Sequence, residues 1–564
     1  MKLRTLIYTI PLAFLGFFFL YPLLSILRLA GGGGLATVLP EPYYLQVIWF
    51  SAWQAALSTL LTLAAGLPAA YVFARFRFPG RTLLRALATA PFVLPTPVVA
   101  AAFTALLGPR GLVNEWLQAL LGLERPPLQV LNTLGAILLG HVFYNYSVVL
   151  RIVGGFWGTL DPQLEQAAAV LGADRRKTLL AVTLPLLLPA IGAAALLVFI
   201  FTFGSFGIVL LLGGPRFATV EVEIYRQTAQ LLRLDVAAAL SLVQIAVTLL
   251  ATLAYTRIQA RVAAPLERRG QPRASPPRSW PARALVAANI AVLLALIGAP
   301  LAALALRSVT ALGPGEEGEL TLSYYWLLGE NRRGSFFFVP PAQAIANSLL
   351  FALAATALAL LVGVPAAYLL ASRQRPAANS RRSATPLQTA RRWFLRLLDP
   401  LFTLPLGVSA VTLGLGYIVA LGPLGLLSSP WLIPAAHALL AFPFVVRSLL
   451  PSLRSLDVRL REAAQLLGAR PIQVLRAVDL PLLAPALLVG AVFSFTVSLG
   501  DFGAALLLAR PDYPTVPVVI GRLLGQPGAE NYGQALALST ILMLIAALGF
   551  VALERLGYRD LGEL

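Results

Sequence analysis

Along this chain, long uncharged runs alternate with short polar bridges. No ionisable side chain occurs between Thr178 and Pro215. About 20 apolar residues suffice to cross a bilayer as a helix, so runs of this kind predict membrane spans. They lie near 6–29, 48–74, 83–107, 131–153, 180–212 and 236–256, and again near 284–306, 343–371, 394–421, 431–450, 478–509 and 533–553. The pattern predicts an all-α integral membrane protein with about 12 transmembrane helices, both ends of the chain on one side.

The second set of runs repeats the first. GLPAAYVFAR at 66–75 returns as GVPAAYLLAS at 363–372, His141 and Arg151 return as His437 and Arg447, and FTFGSFG at 201–207 returns within FTVSLGDFG at 495–503. Six spans per copy is an even number, so both copies enter the membrane the same way. Parallel repeats of this kind are related by a pseudo-two-fold axis along the membrane normal. The expected division is a first repeat at 1–260 (core about 47–257), an Arg/Pro-rich linker at 261–283, and a second repeat at 284–564 (core about 343–555). A further basic stretch, 373–396, lengthens one bridge of the second repeat.

Composition sharpens this picture. Only 12% of residues are charged, about half the share in a soluble domain. A net charge of +19 raises nucleic acid as a partner, but membrane topology explains it first. With the chain ends placed in the cytoplasm, the Lys and Arg residues concentrate on inner segments while the acids divide evenly, as the positive-inside rule requires. The apolar N-terminal run is long for a signal peptide and lacks a clear cleavage site, so it is expected to stay as the first span. With no cysteine and two histidines, no disulfide, iron–sulfur cluster or dense metal site is expected.

One polar stretch is written twice. Residues 165–189, EQAAAVLGADRRKTLLAVTLPLLLP, and 461–485, REAAQLLGARPIQVLRAVDLPLLAP, are identical at 13 of 25 positions. Each opens on a capping Asp, Asp161 before Pro162 or Asp457, runs through small residues, and stops at Gly172 or Gly468. Asp favours a helix start and glycine a helix end. Pro185, Pro189, Pro481 and Pro485 then predict a kinked entry into the following span.

These two stretches resemble the EAA loop of type I permeases from binding-protein-dependent ABC importers. The second copy matches the motif at Glu462, Ala463, Ala464, Gly468, Leu480 and Pro481; the first at Ala167, Ala168, Gly172, Leu184 and Pro185, with Gln166 where the motif has Glu. The resemblance implies that each short helix docks on a cytoplasmic ATPase subunit, through Asp161, Gln166, Ala167, Ala168 and Gly172 in one copy and Asp457, Glu462, Ala463, Ala464 and Gly468 in the other. Gln166 departs from the motif at the position of a polar contact, which leaves the docking implied and the equivalence of the two interfaces open. Two helices imply two ATPase subunits, and the family implies an extracytoplasmic substrate-binding protein and a place in the cell's inner membrane. Two copies fused in one chain, with LLGHVFYN, LLGGPRFATVEVEIY and SLGDFG, are similar to the ferric-iron and thiamine importers. Polyamine, sulfate and molybdate remain as further substrates. No G-x-x-x-x-G-K-[ST] loop occurs and neither lysine follows a glycine, so ATP hydrolysis is expected of the partner. The chain is read as a transport subunit without catalytic residue, cofactor or metal.

Asp501, in SLGDFG, is the acid placed within a span, towards the outer end of the eleventh. A carboxylate in a membrane must face a cavity or a partner. It either lines a cation path opposite Ser205 or is bonded to nearby backbone or to Arg510. His141 and His437 are either a paired ligand site or two packing histidines bonded to facing polar groups. The segments GGPRFATVEVEIYRQ and ARPDYPTVPVVIGR either touch the binding protein or pack as re-entrant elements closing the outer mouth. A cation-coupled secondary transporter is the alternative function. It requires several buried charges per bundle and gives the paired polar helices no role.

Overall fold

The computed structural model describes residues 2–262, 274–312, 318–330, 340–371, 398 and 400–555. Part of the expected linker (263–273) and the basic stretch 373–396 lie outside the described residues. In chain order the helices are α1 (Thr9–Val38), α2 (Pro42–Arg75), α3 (Thr96–Leu107), α4 (Leu134–Trp157), α5 (Pro162–Val170), α6 (Arg176–Phe203), α7 (Val220–Ala229) and α8 (Leu234–Gln259). The second half follows with α9 (Trp280–Arg307), α10 (Pro341–Ala371), α11 (Ala410–Leu421), α12 (Leu432–Ser455), α13 (Val458–Leu466), α14 (Leu475–Gly500), α15 (Val516–Leu524) and α16 (Ala529–Gly549). Among the described residues, 11 helices are long and apolar enough to cross a membrane, and α11 is a shorter apolar twelfth. The protein is an all-α integral membrane protein with about 12 spans.

Proline decides much of the local geometry. In four helices a five-residue π turn ends two residues before a proline: Gly16–Leu20 before Pro22, Leu179–Thr183 before Pro185, Leu294–Gly298 before Pro300, and Leu475–Asp479 before Pro481. Proline has no N–H and its ring crowds the carbonyl four residues earlier. Widening that turn relieves the crowding without ending the helix, which is the kinked entry expected at Pro185 and Pro481.

Four expected spans are shorter or broken. The run 83–107 divides into Arg81–Thr89, a 3-10 turn at Ala90–Val93, and α3, because Pro91, Pro95 and Pro97 remove successive backbone donors. In its counterpart, the described part turns at Leu404–Gly407 before α11 begins. The runs 180–212 and 478–509 stop at Phe203 and Gly500 and resume as the short helices Gly207–Leu212 and Gly503–Leu508.

Each half builds a three-helix core, α2/α4/α6 and α10/α12/α14. Closest approach uses a glycine: a Cβ on Gly66 would lie 2.7 Å from Val149 Cβ, and one on Gly363 2.8 Å from Val445 Cβ. Small residues at such crossings let helix backbones come together inside a membrane. The halves are interlaced. α1 packs on α8 of its own half and also on α10 and α11 of the other, and α9 packs reciprocally on α2 and α3; α8 reaches α11 and α16 reaches α3. An ion pair between the buried Arg307 of α9 and Glu115 fastens this exchange, with a second Arg307 hydrogen bond to the Arg110 carbonyl at 2.9 Å.

Candidate functional site

The two repeated polar stretches fold alike. Asp161 accepts a hydrogen bond from the Gln163 N–H (2.9 Å) and Asp457 one from the Arg459 N–H (3.0 Å), so both caps form as expected. Gly172 (φ +85°) and Gly468 (φ +81°) adopt the left-handed conformation that ends each helix. Gln166, Ala167, Glu462 and Ala463 are exposed, and Ala168 and Ala464 are half-buried. Next to each glycine stands an apolar pair in the open: Val170 and Leu171 are 87% and 88% exposed, Leu466 and Leu467 88% each. Burying such pairs against a partner is strongly favourable.

One side chain ties each short helix to the membrane bundle, and the two ties have opposite charge. In the first copy Glu165 pairs with Arg75 at the end of α2 and accepts from the Thr183 hydroxyl at 2.9 Å. At the equivalent place in the second copy stands Arg461, whose Nε donates to Asp479 Oδ1 at 2.6 Å. Asp479 also accepts from the Tyr368 hydroxyl at 3.2 Å, and the Arg461 guanidinium lies over the Tyr368 ring. Glu165/Thr183 thus becomes Arg461/Asp479.

At the breaks in α6 and α14 the two halves meet. Ser205 and Asp501 each precede a phenylalanine, and the rings of Phe206 and Phe502 stack with centroids 5.6 Å apart. Phe206 also packs on Tyr225 of α7, with centroids 5.4 Å apart. The segments after these breaks fold back against the protein: α7 and α15 are largely buried, and each is pinned to a core helix by its first N–H. Val220 donates to Ser51 Oγ and Val516 to Ser348 Oγ, both at 2.8 Å.

Ser205 is half-buried, and its carbonyl accepts from Thr219 Oγ1 at 3.5 Å. Asp501 Oδ2 accepts the Ala505 N–H at 2.9 Å, which starts the helix after the break, and lies 3.2 Å from His437 Nε2. The backbone partner expected for a packing role is present, and His437 is an additional one. His437 Nδ1 lies 2.8 Å from Ser498 Oγ; His141 Nδ1 lies 2.9 Å from Ser58 Oγ. Both histidines are buried and bonded to facing serines, as packing histidines would be. Among the described residues no group of three His, Cys, Asp or Glu side chains could hold a metal ion.

The family profile described as "Binding-protein-dependent transport system inner membrane component" matches residues 63–264 and again 384–559. The chain belongs to this family. Both matches contain a repeated polar helix and the break after it, so the permease carries two family modules in one chain, as the EAA-like stretches led us to expect. It is 28% identical over 540 residues to the thiamine transport system permease protein of Brucella abortus (strain 2308), covering 94% of this chain and 91% of that protein. The Escherichia coli (strain K12) thiamine transport system permease protein is 28% identical over 525 residues, covering 92% and 90%. A sulfate transport system permease protein of E. coli (strain K12) is 34% identical over 198 residues, covering 35% of this chain and 69% of that one.

Sequence reasoning named the caps, small residues and glycines of the permease's short helices but passed over the residues around them. Val170–Leu171 and Leu466–Leu467 were legible as apolar pairs at the end of an otherwise polar helix. Phe206 and Phe502 fall within the repeat, yet nothing local to either says that they touch. The Arg461–Asp479 tie carried no local signal, because its partners lie a helix apart and the first copy reverses the charges.

Proposed function

We propose that this chain is the membrane permease of an ATP-driven importer that receives thiamine from an extracytoplasmic binding protein and is powered by two copies of a cytoplasmic ABC ATPase subunit. The observation that carries the substrate is likeness to thiamine permeases over more than nine-tenths of the chain. Ferric iron, an equal alternative from sequence, receives no support from these relatives.

In this reading α5 and α13 dock on the ATPase pair through Asp161, Gln166, Ala167, Ala168 and Gly172, and through Asp457, Glu462, Ala463, Ala464 and Gly468. Both chain ends lie in the cytoplasm of a multi-pass inner-membrane protein. The substrate passes between the halves near Ser205 and Asp501. Hydrolysis belongs to the ATPase, and the permease converts its closure into opening. The exposed apolar pairs beside Gly172 and Gly468 support the docking assignment, since such knobs ask to be covered. The charge-tied bases of both helices support transmission, since a rigid link moves with what docks on it.

The test is reconstitution of the chain in vesicles with its ATPase and binding protein. Thiamine-loaded binding protein is expected to raise ATP hydrolysis and drive labelled thiamine inward. Stimulation by a ferric-iron- or sulfate-loaded binding protein, with none by thiamine, would overturn the substrate.

A further inference from the structure

Helix α7 carries two glutamates that its repeat equivalent lacks. Glu221 and Glu223 correspond to Pro517 and Val519 in α15. Both are buried, and their surroundings differ sharply. Glu223 is fully partnered: Tyr43 donates its hydroxyl to Oε2 at 2.9 Å, Gln227 Nε2 donates to Oε1 at 2.6 Å, and Arg226 lies 3.5 Å from Oε2.

Glu221 is not. Its Oε1 accepts from Gln244 Nε2 and the Ser409 hydroxyl stands beside the carboxyl, but among the described residues Oε2 has no hydrogen-bond partner. No ion pair to Glu221 is formed among the described residues. Gln244, itself 2% exposed, leaves its own Oε1 without a donor among the described residues. Buried acceptors are nearly always satisfied, and buried carboxylates are paired. Two idle acceptor oxygens on bonded neighbours, one of them on a carboxyl, therefore describe a place missing a positive charge with donors.

The position is equally specific. A Cβ on Gly204 would lie 3.8 Å from both Glu221 Oε1 and Gln244 Nε2. Gly204 is two residues before Phe206, whose ring packs on Tyr225 of the same α7 and on Phe502. Ser409 comes from the other half, at the start of α11. The unpaired carboxyl thus borders the aromatic contact that joins the halves, and both halves contribute to its surroundings.

We propose that Glu221, with Gln244 and Ser409, forms a transit site for an organic cation beside the Phe206–Phe502 contact. A quaternary nitrogen such as the thiazolium of thiamine pairs with the carboxylate through charge alone, and an amino group on the same solute supplies the donor that Gln244 Oε1 lacks. An anion would be repelled. The choice of thiamine as probe rests on the function proposed above; the cation preference rests on the site.

The experiment is uptake of labelled thiamine by vesicles holding the chain, its ATPase and its binding protein. Glu221→Gln keeps the shape of the acid and removes its charge. It is expected to lower uptake at least tenfold while two ATPase subunits still co-purify with the chain. Glu221→Asp, charged but shorter, is expected to raise the KM for thiamine and keep most of the maximal rate. Native uptake by Glu221→Gln overturns the proposal. Should that variant fail to assemble, an unchanged KM in Glu221→Asp overturns it instead. A native chain that imports no thiamine fails the substrate reading and not this one. The site is then decided by calorimetric binding of tetramethylammonium to the solubilised chain: binding lost in Glu221→Gln supports it, and equal binding or none overturns it.

Discussion

The rings of Phe206 and Phe502, at equivalent places in the two repeats, stack on each other with their planes 26° apart. Each follows the break in a core helix of its own half, so the contact joins the two three-helix cores at equivalent places. A stacked aromatic pair is worth about 0.5–1.5 kcal/mol beyond its buried area, little enough for a conformational change to part it. Because the chain has no cysteine, Phe206→Cys with Phe502→Cys introduces a single cross-linkable pair. Oxidation or a short bifunctional reagent is expected to stop thiamine uptake, and reversal to restore it. Uptake that continues in the cross-linked protein would show that the substrate passes elsewhere.

The charge-reversed ties of α5 and α13 invite a swap. Arg461 and Asp479 are largely buried, their side chains 20% and 9% exposed. Removing either partner strands a hydrogen-bonded charge, at about 1.5–3 kcal/mol. Arg461→Ala and Asp479→Ala are each expected to lower thermal stability in detergent and weaken coupling between ATP hydrolysis and uptake. Arg461→Asp combined with Asp479→Arg should recover part of both. If the double swap is as poor as the singles, the pair does not act as a tie.

For docking, the apolar pairs are the sharper probe. Burying a leucine contributes about 1.5–3 kcal/mol, so Leu466→Ser or Leu467→Ser is expected to weaken ATPase binding about tenfold or more, read by co-purification against the native chain. Ala463→Glu, which places bulk and charge on the exposed face, should do the same. Gly468→Pro meets a different obstacle: the native φ of +81° is closed to proline. ATPase that stays bound and coupled in all four variants would leave α13 a surface helix only.

The core crossings give a test confined to packing. A methyl at Gly66 or Gly363 meets the Cβ of Val149 or Val445 at under 3 Å, atoms too close to the backbone to swing aside. Overpacking of this kind costs about 1–3 kcal/mol. Gly66→Ala and Gly363→Ala should therefore each lower the detergent melting temperature, and pairing them with Val149→Gly or Val445→Gly, which removes the opposing Cβ, should return part of it. No change in either single variant would mean that the cores are looser than drawn.

How much of this was written in the sequence follows from where each signal resides. The spans, the repeat and the capped polar helices were legible because each depends on neighbours in the chain: an apolar run, an Asp before a helix, a glycine after it. The breaks at Gly204 and Asp501 and the shortened α3 were not, since hydropathy is blind to proline and to the backbone demands of a turn. The interlacing of α1 with α10 and of α9 with α2 was invisible too, because either partner would satisfy an apolar face. Glu221 was passed over for a related reason. Its segment left docking on a binding protein and re-entrant packing equally open, and no local signal says that its carboxyl goes unpaired.

On the proposed function, closure of two ATPase subunits moves the two repeated helices together and thereby parts the halves, a motion that the distance between α5 and α13 reads. Spin labels on Gln166→Cys and Glu462→Cys, in a chain otherwise free of cysteine, report that distance in the assembled transporter. The account predicts a shorter distance when ATP is bound and return to the longer one after hydrolysis. An unchanged distance through a working hydrolysis cycle would contradict it.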